Sequence, residues 1–192
     1  MDLIIKLLGG VGLAAACGLN PYLPLLIISV AAKGKLLTLN SELAFLNRWA
    51  AILILAGLMS LEIVADKIPQ IQKFHLTLNQ IIVPIAGGLA FAATVPSDQI
   101  PLVIGFLIGA GVAEIMFLVK NRLRSTIVSL GQTAKLFEPL ISIGQDILAV
   151  FVTIIALVVP PAGGVLGIII IALAFWGENS LKRRQQPAKV EA

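Results

Sequence analysis

The chain has 192 residues, 58% of them hydrophobic and only 12% charged, with a mean hydropathy of +1.01; a soluble domain carries roughly 25% charged residues, so this composition excludes one and points to a lipid bilayer as partner. The net charge of +4 does not point to nucleic acid, because the cations fall in short clusters between apolar runs and form no basic stripe with aromatics. One cysteine excludes an internal disulfide and, with one histidine, an ordinary zinc cluster; no cofactor is expected, and whether carboxylates hold a metal stays unknown.

In chain order the apolar runs are Leu3–Cys17, Pro21–Ala32, Trp49–Ala65, Phe74–Val95, Pro101–Val119, Pro139–Val159 and Pro161–Trp176. The expected fold is all-α: one polytopic membrane domain over residues 1–178 with about six or seven membrane segments, then a polar cytoplasmic tail, 179–192. The first two runs, roughly 22 and 18 Å as helices, fall short of a hydrocarbon core of about 30 Å. They read as a broken or re-entrant pair around "GLNP", Gly18–Pro21. Ahead of Cys17, "LLGGVGLAAAC" loosely resembles a lipoprotein signal; Asp2, the lone Lys6 and Ala14 disagree with one, and the segment is expected to stay in the fold. In lipid, a broken helix leaves backbone groups that protein or water must satisfy. Duplicated transporters use such breaks to bind ions or anionic groups, and the alternative is a kink satisfied by its neighbours.

The third run, about 25 Å, is expected to span between Arg48 and Trp49 at one interface and Asp66 and Lys67 at the other. The fourth to sixth, roughly 28 to 33 Å, are long enough to span unaided. Residues 121–137, "NRLRSTIVSLGQTAKLF", place Leu123, Ile127, Leu130 and Ala134 at helical spacing and read as an amphipathic helix on the cytoplasmic interface. The cation clusters Lys67 and Lys73, Lys120, Arg122 and Arg124, and Lys182 to Arg184 set those links and the C-terminus in the cytoplasm, in a bacterial cytoplasmic (inner) membrane. Lys33, Lys35 and Arg48 then fall outside, against the same bias, with Glu42 as counter-charge.

Two segments look duplicated, as repeats 47–95 and 99–176 with the amphipathic helix inserted in the second. Trp49–Ile63 aligned with Pro101–Ile115 pairs Gly57 with Gly109 and Glu62 with Glu114. His75–Gly88 aligned with Phe151–Gly164 pairs Pro84 with Pro160, so a P-x-A-G-G break is expected in each.

"GLNPYLPLL" near the N-terminus, "EIVADKIP" (Glu62–Pro69) closing a helix and a following P-x-A-G-G together resemble a family of small bacterial membrane proteins known only as domain of unknown function 4126. The resemblance covers most of the chain. It implies an integral membrane protein and carries no activity or catalytic roles.

Ionisable residues inside membrane helices cost on the order of 3 kcal/mol each, so Glu62, Glu114 and Asp146 are candidates for an ion or solute path, against the alternative that each snorkels to the interface. Two glutamates at similar depth could share a proton or bind a cation. Asn20, Pro21, Pro84 and Pro160 join them at the breaks. Glu62 and Asp66, at i and i+4, could hold Mg²⁺ against a diphosphate in a lipid-modifying enzyme, but no second acidic motif completes that site. His75 and Asn79 share a face at the next helix start, as polar contacts or a relay. Gly105, Gly109, Gly163 and Gly167, with Gly111, offer small faces for helix packing. The expectation is a small permease or channel-like transporter of an unidentified solute or ion; a membrane-embedded lipid-modifying enzyme and a non-catalytic scaffold remain alternatives. Among partners, a homo-oligomer stays open.

Overall fold

The computed structural model describes residues 2–65, 69–128 and 138–185, and the side chains of 3–62, 77–127 and 140–181. The described residues build seven α-helices: α1 (Asp2–Leu19), α2 (Tyr22–Lys33), α3 (Trp49–Ala65), α4 (Pro69–Thr94), α5 (Leu102–Val128), α6 (Glu138–Val158) and α7 (Pro160–Gln185). A 3₁₀ segment, Ser41–Asn47, precedes α3. Each helix coincides with one apolar run of the sequence. No strand occurs among the described residues.

Helix α1 lies at the centre, packed on α4, α5, α6 and α7, and its residues from Leu13 to Leu19 are buried. A hydrophobic force does not drive helices together in lipid, so close approach of small residues must do it. The run "GGVGLAAACGL" supplies them: a methyl group added at Gly12 would lie 2.5 Å from the Gly163 carbonyl carbon, and one at Gly18 2.6 Å from the Ala113 oxygen. Helices α4 and α5 touch in the same way, through Gly87 and Gly109. Of the glycines expected to pack helices, Gly109 and Gly163 meet backbone closely, Gly167 meets Ala15 at 3.0 Å, and Gly105 has only ordinary contacts at 3.6 Å. Gly111 faces open space.

Helix α2 runs back alongside α1. Seven residues beyond it, Asn40 caps the C-terminal end of α4: its amide donates to the Ala92 and Val95 carbonyls at 2.5 Å each, and its backbone N–H donates to Ala93 O at 3.1 Å. That place also adjoins Lys6 and Gly9 of α1. A link that short reaches from Lys33 to Asn40 only if the C-terminus of α2 lies at the end where α1 began. One end of the bundle thus holds the N-termini of α1, α3, α5 and α7, and the other the turn between α1 and α2.

Several sequence expectations change. Four helices are long and apolar enough to cross a membrane, in Thr77–Thr94, Leu102–Ile127, Leu140–Val158 and Pro160–Leu181, and a fifth if Ser41–Asn47 and Trp49–Glu62, bent by 63°, form one span. The count of six or seven is not reached, because α1 and α2, with 18 and 12 residues, extend only about 27 and 18 Å. Pro84 does not break its helix: α4 runs through it, whereas Pro160 starts α7, so the two P-x-A-G-G motifs differ in structure. A proline can open a helix, since its fixed φ suits the first position, and is borne inside a membrane helix where neighbours pack the freed groups. Residues 121–128 continue α5 and begin no separate interfacial helix; 129–137, with the rest of that expected helix, lie outside the described residues.

Overpacking a tight helix contact costs about 1–3 kcal/mol. Gly12→Ala is therefore expected to lower the unfolding temperature of the purified protein in detergent, while Gly111→Ala leaves it unchanged or slightly raised. Thermal unfolding followed by reaction of Cys17, which is fully buried when folded, with a thiol-reactive dye checks both.

Candidate functional site

The turn between α1 and α2 is buried, and side chains meet several of the backbone groups that the break sets free. Asn20 Oδ1 accepts hydrogen bonds from the backbone N–H groups of Tyr22 and Leu23, both at 3.0 Å, which caps the start of α2. Its own backbone N–H still donates to Ala16 O at 3.1 Å. At the end of α1, the Lys120 ammonium donates to the Leu19 carbonyl at 2.7 Å, where a cation also suits the negative end of the helix dipole. Asn20 Nδ2 donates to Asp146 Oδ1 at 3.0 Å. One asparagine thereby couples the break to α6, and one lysine couples it to α5.

Asp146 and Lys120 line a cavity of about 20 Å³ together with Glu62 of α3, Asn79 of α4, and Arg124 of α5. Asn121, Ser142 and Gln145 complete its polar wall. A water needs about 10–15 Å³, so the space suits one water or one small ion. Asn20, Glu62 and Asn79 are exposed by only 3%, 7% and 5%. Asn79 Nδ2 approaches Glu62 Oε1 at 3.5 Å, and Asn79 Oδ1 has no hydrogen-bond partner among the described residues. Two carboxylates and two cations balance in charge, which permits burial of groups that would each be costly alone.

The structure thus brings together Asn20, Glu62 and Asp146 of the residues singled out in the sequence, with Pro21 buried beside them. Glu114 does not join them. It is half-buried six residues before Lys120 on α5 and does not line the cavity, and its Oε2 lacks a hydrogen-bond partner among the described residues. The pairing of Glu62 with Glu114 at one site is therefore not what the fold makes. Pro84 stands five residues along α4 from Asn79, and Pro160 lies at the opposite end, in a separate cleft. Asp66 and the side chain of His75 lie outside the described residues. Cys17 is packed in the core among Leu13, Ile28 and Phe117; Phe117 lines the cavity and Cys17 does not.

The sequence marks Lys120 and Arg124 only as interface cations. The available signal was the length of α5: continuing the helix through "NRLRSTIV" to Val128 puts Lys120 eight residues, about 12 Å, inside its end. Among the described residues no group of three His, Cys, Asp or Glu is placed to hold a metal ion.

A family model described as Domain of unknown function (DUF4126) matches residues 7–179. Neither a curated protein nor a solved structure matches the chain.

Losing hydrogen bonds to buried groups costs about 1–3 kcal/mol. Asn20→Ala is expected to destabilise the protein by that amount, and Asn20→Asp to do so by setting a second carboxylate against Asp146. Adding Asp146→Asn to Asn20→Asp restores donor and acceptor with roles exchanged and recovers most of the loss, which thermal unfolding of the three variants measures. In native vesicles Cys17 is expected to resist impermeant maleimides from both sides.

Proposed function

We propose a function from the chain's own chemistry, because it belongs to the family described as Domain of unknown function (DUF4126), and that description names no activity. The proposal is a small permease or channel-like protein for an ion or small polar solute, set in a bacterial cytoplasmic membrane with its C-terminus in the cytoplasm. The observation that carries it is the clustering of buried Glu62 with the partly buried Asp146, Lys120 and Arg124 at a helix break, around space for one small polar particle. Ionisable groups within membrane helices characteristically mark ion and proton paths. In this reading the described conformation is closed at the cavity: the backbone groups of the break are taken by Asn20 and Lys120, and passage requires Lys120 to leave the Leu19 carbonyl and Asn20 to leave Asp146.

The lipid-modifying reading needs Asp66, which lies outside the described residues, whereas Glu62 lines the cavity with Asn79 and the cations of α5. A scaffold needs the packing alone and gives the clustering of four ionisable residues around one cavity no role.

Reconstitution in liposomes carrying an internal pH dye, with osmotic swelling in small polar solutes as a second readout, tests the permease. The wild-type protein is expected to pass protons, monovalent ions or one of the solutes faster than protein-free liposomes. Glu62→Gln with Asp146→Asn is expected to change that rate roughly tenfold, about 1.4 kcal/mol in the barrier, while Cys17 stays protected. Wild-type rates equal to protein-free liposomes in every assay would overturn the reading.

A further inference from the structure

At the end opposite the polar cavity, two clefts of about 450 and 280 Å³ meet along the segment Leu37–Leu39. The larger has an apolar floor that includes Leu13, Leu39 and Leu157, with Lys6, Thr38 and Thr94 at its polar margin. The smaller is bounded by Lys35 and shares Thr38. Each cleft therefore has one ammonium group, and neither has a carboxylate among its described lining; Glu42 and Asp98 line neither, and the side chain of Asp2, four residues before Lys6, lies outside those described. Lys35 has φ +59°, the left-handed conformation that glycine or asparagine usually takes just past a helix end, and it is the one non-glycine residue among those described with positive φ. A lysine kept in a strained position beside a cleft is the kind of outlier that motivates a functional reading.

Residues that neighbour the lining of the larger cleft in the chain are exposed and apolar. Ile4 on α1 and Val158 and Val159 at the junction of α6 and α7 are exposed, as a bilayer-facing surface requires. Lys6 stands about one turn from the start of α1, at headgroup depth for a helix this short. We propose that these joined clefts bind an anionic membrane phospholipid, its phosphate between Lys6, Lys35 and Thr38 and an acyl chain along Leu13, Leu39 and Leu157. Lys6 and Lys35, with Lys33 and Arg48 nearby in the chain, are the cations that the positive-inside bias sets on the wrong face. Lipid binding gives them a physical role. The site is independent of the permease reading, since its residues take no part in the polar cavity.

The test uses the delipidated full chain in neutral detergent and compares dioleoylphosphatidylglycerol with dioleoylphosphatidylcholine by native mass spectrometry and by the Cys17 unfolding assay. The wild type is expected to retain phosphatidylglycerol preferentially and to unfold at a higher temperature in its presence. Lys6→Gln with Lys35→Gln is expected to lose roughly ten- to thirtyfold of that preference, the scale for two lysines beside an anionic headgroup. Lys35→Gly relieves the backbone, so it is expected to unfold higher than wild type without lipid while losing preference for phosphatidylglycerol; this separates binding from stability. Equal retention of the two lipids, a preference unchanged in the double variant, or one that follows Lys182, Arg183 and Arg184 instead would each overturn the proposal. So would inorganic phosphate displacing the lipid, which would make this a site for free anions.

Discussion

The arrangement rests on how closely α1 can approach its neighbours. A helix of ordinary side chains at the centre of a membrane bundle would hold the surrounding helices apart, and dispersion contacts would be lost on every side. Here the residues from Gly9 to Gly18 are almost all small, and the backbone of α1 meets that of α7 at Gly12 and of α5 at Gly18. Because the contact is backbone on backbone, it tolerates little adjustment. It fixes the height of α1 against α5 and α6, and hence which residues of those helices stand beside Asn20.

That height explains why a break can be buried at all. Two residues of non-helical chain in a low-dielectric interior would carry unpaired N–H and C=O groups, each costly. Asn20 answers the N–H groups of Tyr22 and Leu23 and Lys120 the Leu19 carbonyl, and each brings a side chain whose own polarity then needs company. Asp146 meets the asparagine amide, and the acids and bases of α3, α5 and α6 gather around the same space. The polar site is a consequence of ending α1 inside the bundle.

Much of the fold was legible in the sequence because apolar runs bounded by Pro, Gly and charged residues are strong signals in a membrane protein. All seven runs became helices, and "GLNP" is where α1 gives way to α2. The errors share a cause: local pattern does not report depth or partners. Pro84 has the motif of a break, yet α4 continues because packing at Gly87 on α5 holds both sides in line. Lys120 looked interfacial because the charged residues after it resemble a separate amphipathic element, whereas α5 simply runs on. Glu62 and Glu114 looked equivalent by alignment, but which face each presents depends on neighbours that no single sequence identifies. Asn40, the cap of α4, carried no signal beyond being polar in a loop, since its partners lie more than fifty residues ahead.

The central place of α1 also bears on how the chain assembles as it is made. Its first helix is the one whose contacts are furthest away in sequence: Gly12 meets Gly163, and Gly164 meets the backbone of Leu8. The hairpin of α4 and α5, by contrast, can close as soon as both have emerged. Helix α1 is too short and too lightly clad in large side chains to be settled in lipid on its own, and its seat is complete only when α7 has been synthesised. The tightest contacts of α1 therefore close only after α7 has been made, so a chain interrupted before α7 leaves α1 without part of its seat.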